Sequence, residues 1–366
     1  MPPCCHRRVR AAAAPALQAP TPPPRMPMGG ARPGKQAASR ALLQRRPEPM
    51  LELNCGSNHV VLDPVQGGGI RQWRHGGHDV LQPCRFMSGV AFPAAGPSAP
   101  LSACPILPFG GLLAEGRFSF AGQEYVLGKG AHAHLLHGSS WARPWTVAHR
   151  MERQAIFVLD HDPAAADNAS EWPFAYRGVV EYVLHDWGLA VTVVIENRDR
   201  AEQPVGLGFL ACPKTGPHAR LSLNAHSAWT KDAQALPAEE VACTDIWDFR
   251  HGQSLEGRVL DVCFTGFGGR AELENTYARS PQAFVFEADP VFTHLSVERF
   301  QEEVEREGEA KGGGSLELFA STAMPDALNR PGVAGGGMHV LAPGARLGGN
   351  LRLKLSEHAH RRPCRP

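Results

Sequence analysis

Three imidazoles crowd one short stretch, His132, His134 and His137. Neutral imidazole is a common metal ligand, so the cluster first suggests a metal site. No nearby carboxylate completes a ligand set, and no metal is expected. The nine cysteines are Cys4, Cys5, Cys55, Cys84, Cys104, Cys212, Cys243, Cys263 and Cys364. They form no C-x-x-C pair, and none stands near a His pair at zinc spacing. An odd, scattered set reads as free thiols in a reducing compartment, hence a cytoplasmic protein. The chain lacks G-x-x-x-x-G-K-[ST], H-E-x-x-H and G-x-S-x-G. Gly67-Gly68-Gly69 reads as a turn, since nothing helical follows it to cradle a phosphate. No cofactor is expected.

The elements that must position any site are short strands. The chain has 366 residues, a formal net charge of +1 and 43% hydrophobic residues. That is enough for one large all-β domain or two ordinary ones. Near-neutral charge gives no global attraction to nucleic acid or to an acidic membrane surface. No apolar run is long enough to cross a bilayer. With 39 glycines and 32 prolines, many strands joined by turns are favoured over long helices. Gly188–Ile195 reads as a strand that stops at Glu196-Asn197-Arg198-Asp199. Arg220–Ala225, Ala283–Ala288, Leu316–Leu318 and Leu351–Leu355 alternate apolar and polar, as half-buried strands do. Even spacing without intervening helices points to an antiparallel sandwich.

Two stretches differ. Residues 1–49 are rich in Ala, Pro and Arg with no acid before Glu48; such a segment buries too little apolar surface to order itself and is expected to be a disordered tail. Residues 358–366 form a second, short tail, which leaves 50–357 as the folded domain. Glu298 to Lys311 carries six glutamates and runs into Gly312-Gly313-Gly314. It reads as a solvated surface insertion.

Motifs along residues 51–356 resemble the aldose 1-epimerase (galactose mutarotase-like) family, in that family's order. Phe109-Gly110-Gly111 and Glu115–Tyr125 are similar to its "P-F-x-N-R-I-x-x-G-x-F-x-F-x-G-x-x-Y" stretch. His134-Leu135-Leu136-His137-Gly138, with Trp141 and Trp145, is similar to "H-x-L-H-G-x-x-W-x-x-x-W", which accounts for two of the three imidazoles without a metal. Trp172-Pro173-Phe174, Pro204–Phe209, Leu260-Asp261-Val262-Cys263-Phe264 and Met324-Pro325-Asp326-Ala327-Leu328-Asn329 match further segments. The resemblance implies a large antiparallel β-sandwich of the supersandwich type and a small-molecule sugar as ligand.

It also implies a chemistry. A base removes the anomeric hydroxyl proton, an acid protonates the ring oxygen, and the ring opens and recloses on the other face. His137 matches a sugar-binding His and Asp261 a sugar-binding Asp. Asp232 lies near a "D-x-x-x-x-P" segment, and Trp141, Trp145 and Trp172 are candidates to stack on a sugar. Three positions depart from the pattern. The acid His of "H-P-Y-F" falls on Leu210, the Arg of "N-R" on Leu112, and the base Glu on Phe319. Glu317, two residues before Phe319 and on the same strand face, is a displaced candidate base. His218 is a candidate acid if its loop folds inward. Arg117, Arg143 and Arg177 are candidates to grip a sugar phosphate. Two readings follow: interconversion of the anomers of a free hexose, or a catalytically impaired carbohydrate-binding protein on the same fold.

Overall fold

A computed structural model describes residues 50–85, 100–128, 134–165, 168–274, 282–300 and 314–357. The tails expected at 1–49 and 358–366, His132, and residues 301–313 of the acidic stretch lie outside the described residues.

Alternation builds the sheets. Tyr176–His185 is buried at every second residue along its ten positions, because successive side chains of a strand point to opposite faces. Its partner Gly188–Asn197 pairs with it antiparallel over its whole length. These two belong to a nine-stranded sheet. An eleven-stranded sheet faces it, and its central order runs Gly69–His75, Ala103–Ile106, Gly208–Ala211, Ser315–Ser321, His294–Phe300, Leu260–Thr265, Ser227–Lys231. Strand makes up 53% of the described residues, which contain no helix of seven residues or more. The expected all-β antiparallel sandwich is therefore what forms.

The inner faces of the two sheets meet in one apolar cluster. Trp73 stands edge-on to Phe284 at 6.3 Å, and Tyr182 to Phe209 at 6.4 Å, each pair joining one sheet to the other. The Tyr182 hydroxyl donates to the Gly68 carbonyl at 2.8 Å, so this buried phenol keeps a partner.

The centre of the larger sheet is covered on both faces. Ser315–Ser321 is buried at all seven positions and Gly208–Ala211 at all four. Their inner residues join the main core, while Leu210 and Phe319 point outward into a second cluster with Trp141, Cys104 and Cys212. The Phe319 ring fills space left by two glycines. A Cβ on Gly110 would sit 2.3 Å from Phe319 Cζ, and one on Gly208 2.4 Å from Phe319 Cε2. Gly208→Ala is thus expected to lower stability by roughly 1–3 kcal/mol through overpacking. Urea denaturation checks this, and a change within about 0.5 kcal/mol, ordinary for a surface site, would contradict it.

One cysteine expectation is corrected. Cys84 and Cys212 form a disulfide across 128 residues, with Cα atoms 5.5 Å apart. Sequence spacing could not reveal it, because the pair is made by topology: Gln82 donates its N–H to the Cys212 carbonyl and Cys84 to that of Leu101. Cys55, Cys104, Cys243 and Cys263 are free thiols among the described residues.

Candidate active site

On the outer face of the larger sheet, register aligns the acidic residues. Asp261 pairs with Glu298, and Glu298 with Glu317, directly across three adjacent strands. The next strand places Trp229 opposite Cys263, and Lys231, two residues on, forms an ion pair with Asp261. Because a strand alternates faces, Val262, Val297, Leu316 and Leu318 turn into the core. Asp261, Glu298, Glu317 and Phe319 line a pocket on the other side. Loops close its rim with Gly111, Leu112, His137 and Pro325. The hollow has a cavity volume of about 180 Å³, a small cleft beside the roughly 300–1,000 Å³ of drug-sized ligand sites.

His137 is held by backbone. Its own N–H donates to the Gly111 carbonyl, and the Gly111 N–H donates back to His137 Nδ1, both at 2.9 Å. An accepting Nδ1 puts the imidazole proton on Nε2. The residue adopts a left-handed backbone with φ 58°, a conformation that costs free energy outside glycine and that clusters at functional sites. The following Gly138 has no room for a side chain: a Cβ there would meet the Leu107 carbonyl oxygen at 2.0 Å. Burial, and behind it the Lys231 charge, lower the His137 pKa to about 3. The ring is therefore neutral at physiological pH.

Glu317 is 3% exposed and accepts the Arg85 backbone N–H at 2.5 Å. Its neighbour Cys104 has its thiol pKa pushed up by burial and, secondarily, by the Glu317 charge. Lys231 forms an ion pair with Asp261 and a second with Glu298 at 3.1 Å. Burial works against the ammonium, but the Glu298 and Asp261 carboxylates outweigh it and hold its pKa above the ordinary lysine value. Like charges directly opposite one another on a sheet repel, and Lys231 offsets that repulsion between Asp261 and Glu298.

Of the residues singled out in the sequence, the pocket collects His137, Asp261 and Glu317, together with the substituted positions Leu112, Leu210 and Phe319. Three others are corrected. The His218 side chain is 76% exposed and pairs with Glu256 at 3.2 Å, so its loop does not fold inward. Asp232 caps its own turn, accepting the N–H groups of Gln234 and Leu236. Trp141 is 3% exposed and packs among Cys104, Leu210 and Phe319 as core, outside the pocket lining. Trp145 and Trp172 are core too; Trp172 stacks on Phe118 at 5.2 Å. The three arginines proposed to grip a phosphate serve other pairs: Arg117 with Glu124, Arg143 with Glu171, Arg177 with Asp160.

Two charged pocket residues are not evident from the sequence motifs. Glu298 opens the acidic stretch in sequence, yet it belongs to the strand His294–Phe300. The signal was present: Leu295 and Val297 alternate with Ser296 and Glu298. Lys231 precedes Asp232, the residue near the motif, and closes the strand Ser227–Lys231, where it shares the outer face with Trp229.

The Met324–Asn329 motif now has a structural account. Asp326 accepts the Ala114 N–H and the Asn329 amide, and holds Arg330. Pro325 presses on Gly111, where a Cβ would meet it at 2.7 Å. The motif buttresses the pocket rim.

Fold, motif order and pocket position together define a galactose mutarotase-like sandwich. The family model for aldose 1-epimerase matches residues 50–354, and the chain belongs to that family. A curated relative, uncharacterized protein YphB of Escherichia coli K12, is 25% identical over 308 residues, covering 79% of this chain and 93% of its own. A crystal structure of a candidate aldose 1-epimerase from Escherichia coli K12 superposes with a TM-score of 0.70 at 24% identity, over 85% of this chain and 99% of that one. The GalM/aldose epimerase homologue of C. elegans superposes at 0.66 with 16% identity, over 84% and 99%. No helix among the described residues is long and apolar enough to cross a membrane.

Proposed function

We propose that this pocket interconverts the α and β anomers of a free hexose. The observation that carries the reading is the convergence of His137, Asp261 and Glu317, from a loop and two strands, on one hollow. Glu317 serves as the base that removes the anomeric proton. The neutral His137 donates from Nε2 to a sugar oxygen. Asp261 accepts sugar hydroxyls, a charged acceptor fixing orientation as well as affinity. Membership of the aldose 1-epimerase family supports a sugar as the ligand.

A second reading, carbohydrate binding without turnover, is favoured by one observation. Leu112, Leu210 and Phe319 line the pocket at the positions where the family resemblance implies an Arg, an acid and a base. Polarimetry separates the two. Freshly dissolved α-glucose or α-galactose should lose its rotation faster with the protein than in matched buffer. Saturable sugar binding by calorimetry with no acceleration would establish the second reading. Neither acceleration nor binding for any hexose tested would sink both.

A further inference from the structure

Ring opening needs a proton for the ring oxygen, and the usual donor position holds Leu210, which has none. His218 is turned to solvent. His137 stays neutral at physiological pH and lends its Nε2 hydrogen without releasing it. Among the described pocket residues one cationic proton donor remains. The Lys231 side chain is 12% exposed and lines the same hollow as His137 and Glu317. It reaches past Asp261 to Glu298, whose strand neighbours that of Glu317. Acid and base thus face one hollow, the ammonium beside Glu298 on the strand next to that of Glu317. That suits a pair flanking O1 and O5, which share one carbon. Of the three ammonium N–H bonds, two are directed at Asp261 and Glu298, and the third can turn to a bound sugar.

We infer that Lys231 is the general acid of this site, replacing the imidazole that Leu210 displaces. The inference rests on the mutarotase reading above. In the forward step Glu317 takes the O1 proton, the C1–O5 bond breaks with its electron pair passing to O5, and the Lys231 ammonium protonates O5. An aldehyde, a neutral amine and a protonated Glu317 result. After rotation about C1–C2, the amine takes the O5 proton back, O5 attacks the opposite face of C1, and Glu317 returns its proton to O1. The balance closes with no further reactant. An ammonium is a competent donor here because the developing alkoxide is a far stronger base than an amine. The raised Lys231 pKa keeps the group charged for that step. Asp261, Glu298, His137 and the Cys263 thiol are the titratable groups that face it.

The test begins with wild-type mutarotation by polarimetry; an inactive wild type overturns the functional reading and this inference with it. Given activity, Lys231→Ala should lose about 10²-fold or more in kcat. Added primary amines should restore it, with a rescue rate that depends on amine pKa. Lys231→Arg keeps the charge between Asp261 and Glu298 but holds its proton too tightly to exchange it. It should fold, bind sugar within a few-fold of wild type, and remain slow. Full kcat in Lys231→Arg, or Lys231→Ala within about threefold of wild type, overturns the inference while leaving the mutarotase reading intact. Should Lys231→Ala fail to fold, the arginine variant alone decides.

Discussion

Glu317→Gln should slow mutarotation by roughly 10²–10⁴-fold while sugar affinity changes little, since losing a positioned general base costs about that much. Gln is the right replacement. Its side-chain carbonyl can still accept the Arg85 N–H that Glu317 accepts at 2.5 Å, so the buried donor keeps its partner and the strand keeps its packing. What disappears is the capacity to take a proton. The measurement is kcat from polarimetric progress curves, with binding followed separately by calorimetry. An unaltered kcat would remove Glu317 from the chemistry. A loss of binding equal to the loss of rate would recast it as a sugar-positioning group.

The second large effect is on stability against pH. His137 is neutral in the folded protein because burial and the Lys231 charge hold its pKa to about 3, whereas an unfolded chain has a His pKa near 6.5. The unfolded state therefore binds the extra proton between about pH 6.5 and 3, and stability rises with pH across that window. The contribution is complete above the unfolded value and is lost as pH falls toward 3. At about 1.4 kcal/mol per unit, the whole loss is on the order of 5 kcal/mol. His294, held to about 4 mainly by burial, adds to the slope in the same direction. His137→Asn isolates the first share. Asn tolerates the left-handed backbone, and its carbonyl oxygen can accept the Gly111 N–H. Urea denaturation between pH 4 and 7.5 should show a slope shallower by about one proton than in the wild type. Parallel slopes would contradict the buried, neutral imidazole.

The strands were legible because burial imposes a period of two. The alternation in Arg220–Ala225 and Leu351–Leu355 announces half-buried strands, and strands form at Arg220–Leu223 and Arg346–Glu357. The same arithmetic correctly set Glu317 on the face of Phe319. What alternation does not encode is the order of strands across a sheet. Nothing local says that Asp261, Glu298 and Glu317 stand in one row, or that Cys84 meets Cys212. Loops were less legible still. His218 lies in a segment that alternation does not constrain, and it ends in solvent. Trp141 carries the composition of a sugar-stacking residue, but an aromatic ring is equally good core, and the short turn at Ser139–Ala142 directs it inward. Glu298 shows the opposite case, for its run of like residues reads as one unit although a strand ends within it.

The paired rows on the outer face have a wider meaning. A pleated face is a grid whose cells repeat every two residues along a strand and every strand across. An active group can therefore hop one cell, from the place of Phe319 to that of Glu317, without disturbing a single contact on the buried side. Lys231, at the far end of the same row, occupies another such cell. In a scaffold of this kind the polar groups of the outer face are movable pieces on a fixed board.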